Sequence, residues 1–141
     1  MFGRKRVKPI ELRRLDELKP LLADGKPVLL DLMQVNCRSC KIMDGIVNEL
    51  AEEYAGSAYV VKVDVARVPE AIQAFSIKGT PTFVLLGRPA ATAAKKKAKR
   101  RVEPAAGTAD RGPVARWRAS GLVRKDQMVR AMESAGAVRA E

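Results

Sequence analysis

Seven residues, PVLLDLM from Pro27 to Met33, do most to restrict the fold: an apolar run of strand length broken by a single aspartate, Asp31. A strand with one wet face alternates apolar and polar residues. Near-continuous apolarity belongs instead to a strand covered on both faces, as in the middle of a parallel or mixed sheet. Such a sheet needs helices on each side, and the flanking sequence supplies them. Leu12, Leu15, Leu18 and Leu21-Leu22 recur at helical spacing until Asp24-Gly25 ends the pattern. Ile42, Met43, Ile46, Val47, Leu50 and Tyr54 form the stripe of a second helix, from about Cys37 to Tyr54, closed by Gly56.

The remaining segments extend the alternation. Val7 to Ile10 reads as a short edge strand, the one setting in which Pro9 is tolerated. AYVVKVDV, Ala58 to Val65, is a β-branched strand; Pro69 suits the first residue of a short helix through Phe75; TPTFVLL, Thr80 to Leu86, is the next strand. The order to this point is βαβαβαβ, an α/β domain. From Gly87 to Pro113 only Val102 is a large apolar residue, and the stretch is rich in Ala, Lys, Arg, Gly and Pro. It cannot bury enough apolar surface to offset its ordering entropy and reads as a flexible insertion. VARWRAS, Val114 to Ser120, resumes as a strand with Ala115, Trp117 and Ala119 expected on one face; Met128, Val129, Met132 and Ala135 then mark a last amphipathic helix. With the insertion removed, TPTFVLL and VARWRAS become the arms of a hairpin. The expected organisation is a basic arm over 1–8 and one domain over 9–141, interrupted at about 87–113.

A chain of 141 residues, 47% hydrophobic, can bury one real core. Its net charge of +11 suggests nucleic acid or an anionic membrane until the charges are located. Arg4, Lys5, Arg6 and Lys8 give +4 in the arm, and residues 87–113 carry eight cations against Glu103 and Asp110, so ten of the eleven charges lie outside the folded body. The KKKAKRR segment within the insertion could bind an anion but has no aromatic residue for stacking bases, so it is expected to be solubilising more than nucleic-acid-binding. No segment approaches the roughly 18 consecutive apolar residues of a membrane span. The N-terminal stretch has a basic start but neither an apolar run nor a small-residue cleavage site after it, so no secretory leader and a cytoplasmic location are expected.

Both cysteines, Cys37 and Cys40, lie in NCRSCK at the strand-to-helix junction after Met33. Three readings are open: a redox pair, half a metal site, or two core thiols near each other by chance. A structural zinc site needs four Cys or His ligands, and two cysteines without a histidine meet that number only if two chains share the ion. Reducing compartments disfavour a structural disulfide staple. Three residues apart at a helix start, both thiols fall on one face of the first turn, with Asn36 a suitable N-cap. The positive end of the helix, with Arg38 and Lys41, favours thiolate over thiol. Cys37, nearer the N-terminus, is expected to be the nucleophile, and Cys40 the resolving thiol.

These segments in register resemble the thioredoxin family, from Asp24 to Leu86 and again from Val114 to Gly136. The likeness rests on PVLLDLM running into Cys37-x-x-Cys40-Lys41, on AEEYAGSAYVVKVDV, on FSIKGTPTFVLL and on Gly121 followed by LVRKDQM. It implies a thioredoxin fold, a central mixed β-sheet flanked by helices on both faces. It implies a cis Thr80-Pro81 bond that sets Thr80 beside the sulfurs to receive a substrate strand. Asp31 matches the family's buried acid behind the resolving cysteine, and Lys62 the lysine beside it on the next strand. The resemblance also implies a thiol-disulfide oxidoreductase acting on disulfide-bonded proteins and recharged by a reductase or other dithiol donor; no cofactor or metal is expected, and a monomer is the default expectation. The departures are local. Asn36 replaces a tryptophan, Arg38-Ser39 replace Gly-Pro between the cysteines, and Gly45 stands where a helix-kinking proline is common. Arg38 and Ser39 therefore replace family residues at the substrate-facing edge. The competing expectation is a binding module on the same scaffold, with its basic loop holding an acidic protein, nucleic acid or membrane.

Overall fold

The computed structural model describes residues 7–88 and 113–140. Five strands form one mixed sheet: β1 (Ile10–Glu11), β2 (Val28–Met33), β3 (Tyr59–Asp64), β4 (Thr82–Gly87) and β5 (Val114–Ser120), in the order β1-β3-β2-β4-β5. β3 runs parallel to both β1 and β2, whereas β4 is antiparallel to β2 and to β5. The helices are α1 (Leu18–Ala23), α2 (Arg38–Glu53), α3 (Glu70–Ala74) and α4 (Lys125–Ser134).

The two-residue period of a strand divides the core in two. Leu29, Val60, Phe83 and Leu85 point to the face covered by Met43, Val47 and Leu50 of α2 and by Met128 and Met132 of α4. Val28, Leu30, Leu32, Val61, Val63, Val84 and Leu86 point the other way, against Leu12, Leu18 and Ala71. Each of the Val, Leu, Met and Phe side chains among them contributes roughly 1.5–3 kcal/mol on burial. β2, at the centre, is buried on both faces, as its composition predicts. By the same alternation Asp31 shares the α2 face, its Cα paired with that of Lys62 on β3 and that of Phe83 on β4.

The structure moves several expected boundaries. The first strand begins at Ile10 and not Val7; Pro9 has no N–H for a ladder and lies just outside it. Leu12 is not helical, because its N–H is taken by the Lys62 carbonyl at 3.0 Å, continuing the edge pairing. The helical leucines follow as a 3-10 turn, Leu15–Glu17, then α1, which places Pro20 in the first α-turn where its missing N–H leaves no bond unmade. Pro69 caps α3 from outside. Ile42 is 58% exposed and leaves the α2 stripe. Ala115 is exposed as well, since the register passes from Leu85↔Trp117 to Leu86↔Ala115 and makes Arg116 the extra residue of a bulge. Trp117 and Ala119 remain packed against the α2-side core.

β4 and β5 form the expected hairpin, with Gly87 opposite Val114. Residues 89–112, which hold most of the expected insertion, and the basic residues 1–6 lie outside the described residues.

Candidate active site

α2 starts one residue later than Asn36 would cap it. The N-cap is Cys37, in extended backbone at φ −97° and ψ 116°, and its sulfur accepts the Cys40 N–H at 3.1 Å while its carbonyl accepts the Lys41 N–H at 3.1 Å. The Cys37 sulfur takes the place that a serine or aspartate oxygen usually fills, and satisfies one of the otherwise unpaired N–H groups of the first turn. Charge on this sulfur would be stabilised by that donor and by the helix dipole. Cys37 and Cys40 are joined as a disulfide, with Cα atoms 5.2 Å apart. The two are unequally accessible: Cys37 is half-buried, and Cys40 is 3% exposed.

Opposite the pair lies the turn before β4. The Thr80-Pro81 bond is cis, as the resemblance implies, and the Thr80 carbonyl oxygen lies 3.5 Å from the Cys37 sulfur. This turn is held from both sides: Thr82 Oγ1 donates to the Gly79 carbonyl at 2.7 Å, and the Gly121 N–H donates to the Pro81 carbonyl at 2.9 Å. Gly121 adopts φ +81°, a conformation glycine reaches without steric cost, so the chain can turn out of β5 and still reach Pro81. Arg38 and Ser39 are the first two helical residues, Arg38 exposed and Ser39 half-buried, and they form the solvent edge of the site.

Asp31 is 1% exposed, and its Oδ1 has no hydrogen-bond partner among the described residues. Burial pushes its carboxyl up to about 7; Lys62 pulls in the opposite direction and Asp44 adds to the rise. Asp31 and Lys62 do not form an ion pair with each other. Lys62 lies beside Asp31 in register, but its ammonium donates to Asp44 Oδ1 at 3.1 Å.

Asp44 was absent from the sequence-based site. The signal that could have exposed it is spacing: four residues after Cys40 on the same helix, it lies one turn further along the face that covers the sheet. Among the described residues no three or more His, Cys, Asp or Glu side chains are grouped to hold a metal ion, and no helix is long and apolar enough to cross a membrane.

A helix-capping Cys-x-x-Cys pair beside a cis-proline, on a five-stranded mixed sheet, defines a thioredoxin-fold protein with a vicinal cysteine centre. Comparison with known proteins narrows this. The family model for thioredoxin matches residues 13–105, and the chain belongs to the thioredoxin family. Thioredoxin-1 of Drosophila melanogaster is 38% identical over 64 residues, covering 45% of this chain and 60% of the relative. The thioredoxin of Mycobacterium tuberculosis is 35% identical over 65 residues, 46% of this chain and 56% of the relative. These alignments thus span about 60% or less of the length of the curated relatives. Among solved structures, a thioredoxin of Malassezia sympodialis superposes with a TM-score of 0.69 at 17% identity, covering 97% of each chain. A thioredoxin point mutant of Halobacterium salinarum gives 0.68 at 23% identity, over 97% of this chain and 98% of that one. At those identities the likeness establishes the fold.

Proposed function

We propose that the protein is a thiol-disulfide oxidoreductase that exchanges electrons with protein disulfides through the Cys37/Cys40 couple. The observation that carries this reading is the asymmetry of the pair: a half-buried sulfur that caps a helix, bonded to a buried one in its first turn. In the reducing direction the Cys37 thiolate attacks a substrate disulfide. A Cys37–substrate disulfide forms and one substrate sulfur leaves as thiolate, taking up a proton. Cys40 then gives its proton to Asp31, directly or through water, and its thiolate attacks the Cys37 sulfur. The Cys37–Cys40 bond forms, the mixed disulfide breaks, and the second substrate sulfur leaves as thiolate. Two electrons have passed to the substrate. A reductase or other dithiol donor restores the dithiol.

The other site residues have supporting parts in this reading. The Thr80 backbone and Pro81 receive the extended substrate segment around its disulfide, while Arg38 and Ser39 meet it from the helix side. Arg38 adds a cation next to the nucleophile. Ser39 keeps an N–H at a position where proline would have none, and that donor further favours the thiolate.

Insulin reduction by the purified protein and its Cys37→Ser variant tests the reading. Precipitation of the insulin B chain by the wild type and its loss in Cys37→Ser is the expected pattern. Equal rates, or none in either, would refute it. Trapping with Cys40→Ser, in which the mixed disulfide at Cys37 cannot resolve, would identify the substrates.

A further inference from the structure

The acid that holds Lys62 is not the acid beside it in the sheet. Three charged groups from three elements meet on the α2 face: Asp31 on β2, Lys62 on β3 and Asp44 on α2. β4 faces Asp31 with Phe83, which carries no charge, and α2 carries the Cys37/Cys40 pair, uncharged as the disulfide and titratable once reduced. An ammonium next to a buried carboxylate would ordinarily be drawn to it. Here Lys62 is bound at 3.1 Å to Asp44, whose side chain is 40% exposed, while the buried Asp31 Oδ1 has no partner among the described residues. A partly exposed acid holds the ammonium that strand register sets beside the buried one.

We propose that Asp44 is a positioning residue: by holding the Lys62 ammonium toward solvent and setting its own negative charge on the same face, it leaves Asp31 as the acceptor of the proton that Cys40 releases. This rests on the oxidoreductase reading above. The physical logic is that an unopposed Lys62 would stabilise ionised Asp31 and make it a poorer base. Asp44 divides the cation's influence and adds repulsion of its own, and both effects favour protonation of Asp31. The balance of the step is unchanged. The proton leaves Cys40 Sγ for Asp31, the Cys40–Cys37 bond forms, and the Cys37–substrate bond breaks with the electron pair on the departing sulfur.

Asp44→Asn keeps the size and an oxygen acceptor for Lys62 but removes the charge, and Asp44→Glu keeps the charge. Two measurements are made on wild type and both variants. The first is the titration of the Asp31 carboxyl carbon by NMR in the reduced protein. The second is the pH dependence of the second thionitrobenzoate release after reaction with Ellman's reagent, which reports Cys40 attacking a mixed disulfide at Cys37. In Asp44→Asn the Asp31 titration should move to lower pH by roughly a factor of ten in proton concentration or more, the size expected when an ammonium turns toward a carboxylate. The acid limb of the second release should follow. For a tenfold displacement, the fraction of the plateau rate reached at pH 6 should rise about fivefold, as ionised Asp31 grows from about a tenth to about a half. Asp44→Glu should restore both curves. An unchanged Asp31 titration in Asp44→Asn would overturn the inference even if insulin reduction is intact. A moved titration with an unmoved release limb would overturn it too, by showing that Asp31 does not receive the proton. Absence of insulin reduction in the wild type would overturn the oxidoreductase reading instead, and the carboxyl titration would still decide whether Asp44 governs Asp31.

Discussion

Replacing Asp31 by asparagine should make the protein more stable, and by an amount that grows with pH. The carboxyl sits 1% exposed among Phe83 and the α2-side core, and burial raises its pKa from 3.8 to about 7. Its proton is therefore held more tightly in the folded state than in the unfolded one. Between about pH 4 and 7 the native state binds more protons than the unfolded state, so the unfolding free energy falls as pH rises through that window. Below it Asp31 is neutral in both states and costs nothing by ionising. Above about pH 7 it is ionised in both, and the whole penalty is felt. A displacement of that size corresponds to roughly 4 kcal/mol at 1.36 kcal/mol per tenfold change. That figure already includes the attraction to Lys62, and partial relaxation around the site makes about 2–4 kcal/mol the expected gain for Asp31→Asn at pH 8. Asparagine keeps the shape and carries a similar cost for its buried amide to that of the neutral acid, so the two proteins should converge near pH 4. Urea unfolding of the oxidised proteins at pH 4, 6 and 8 reads this directly, with the midpoint difference widening as pH rises. A difference that stays constant from pH 4 to 8 would refute the argument, because it would mean that Asp31 titrates alike in the folded and unfolded chains. Under the proposed function the same substitution should also slow the second step of disulfide reduction, so that a gain in stability and a loss of rate would appear together.

Three further outcomes follow from other parts of the molecule. Arg38 beside Cys37, and the Ser39 N–H where a proline would offer none, should make the couple a stronger oxidant than an ordinary thioredoxin at about −270 mV. Equilibration against glutathione buffers should give a less negative potential, and one at or below that of thioredoxin would contradict it. Gly45 lies inside α2, and a Cβ built there meets nothing within 4 Å, so Gly45→Ala should raise stability by roughly 0.5–1 kcal/mol in thermal or urea unfolding. Tyr54 donates its hydroxyl to Glu133 Oε2 at 2.6 Å, tying the end of α2 to α4, so Tyr54→Phe should cost about 1–2 kcal/mol while leaving insulin reduction unchanged.

Where the sequence was informative, a short-range physical rule and the tertiary outcome pointed the same way. PVLLDLM reads as a buried central strand because its apolarity has no period, and β2 is buried on both faces for that reason. The pairing of Thr80-Pro81 with Cys37 was legible only through a likeness to a family, since 43 residues separate two groups that the fold brings to 3.5 Å. The misses have a common cause. Asn36 is a better N-cap than cysteine by side-chain preference, but the position of the cap depends on where β2 releases the chain, and the sulfur of Cys37 takes the Cys40 N–H. Ala115 leaves the Trp117 face because of a bulge, a register change written in neither strand alone. The choice Lys62 makes between two acids likewise depends on tertiary placement. Register puts it against Asp31, whereas its own four-carbon stem lets the ammonium reach outward to Asp44, where less hydration is lost. Pairing with Asp31 would bury two charges to satisfy one. Pairing with Asp44 sets the cation against a partly exposed acid and leaves the buried carboxyl to exchange its proton near pH 7, the range in which, under the proposed function, its ionised form would take the proton of the resolving thiol.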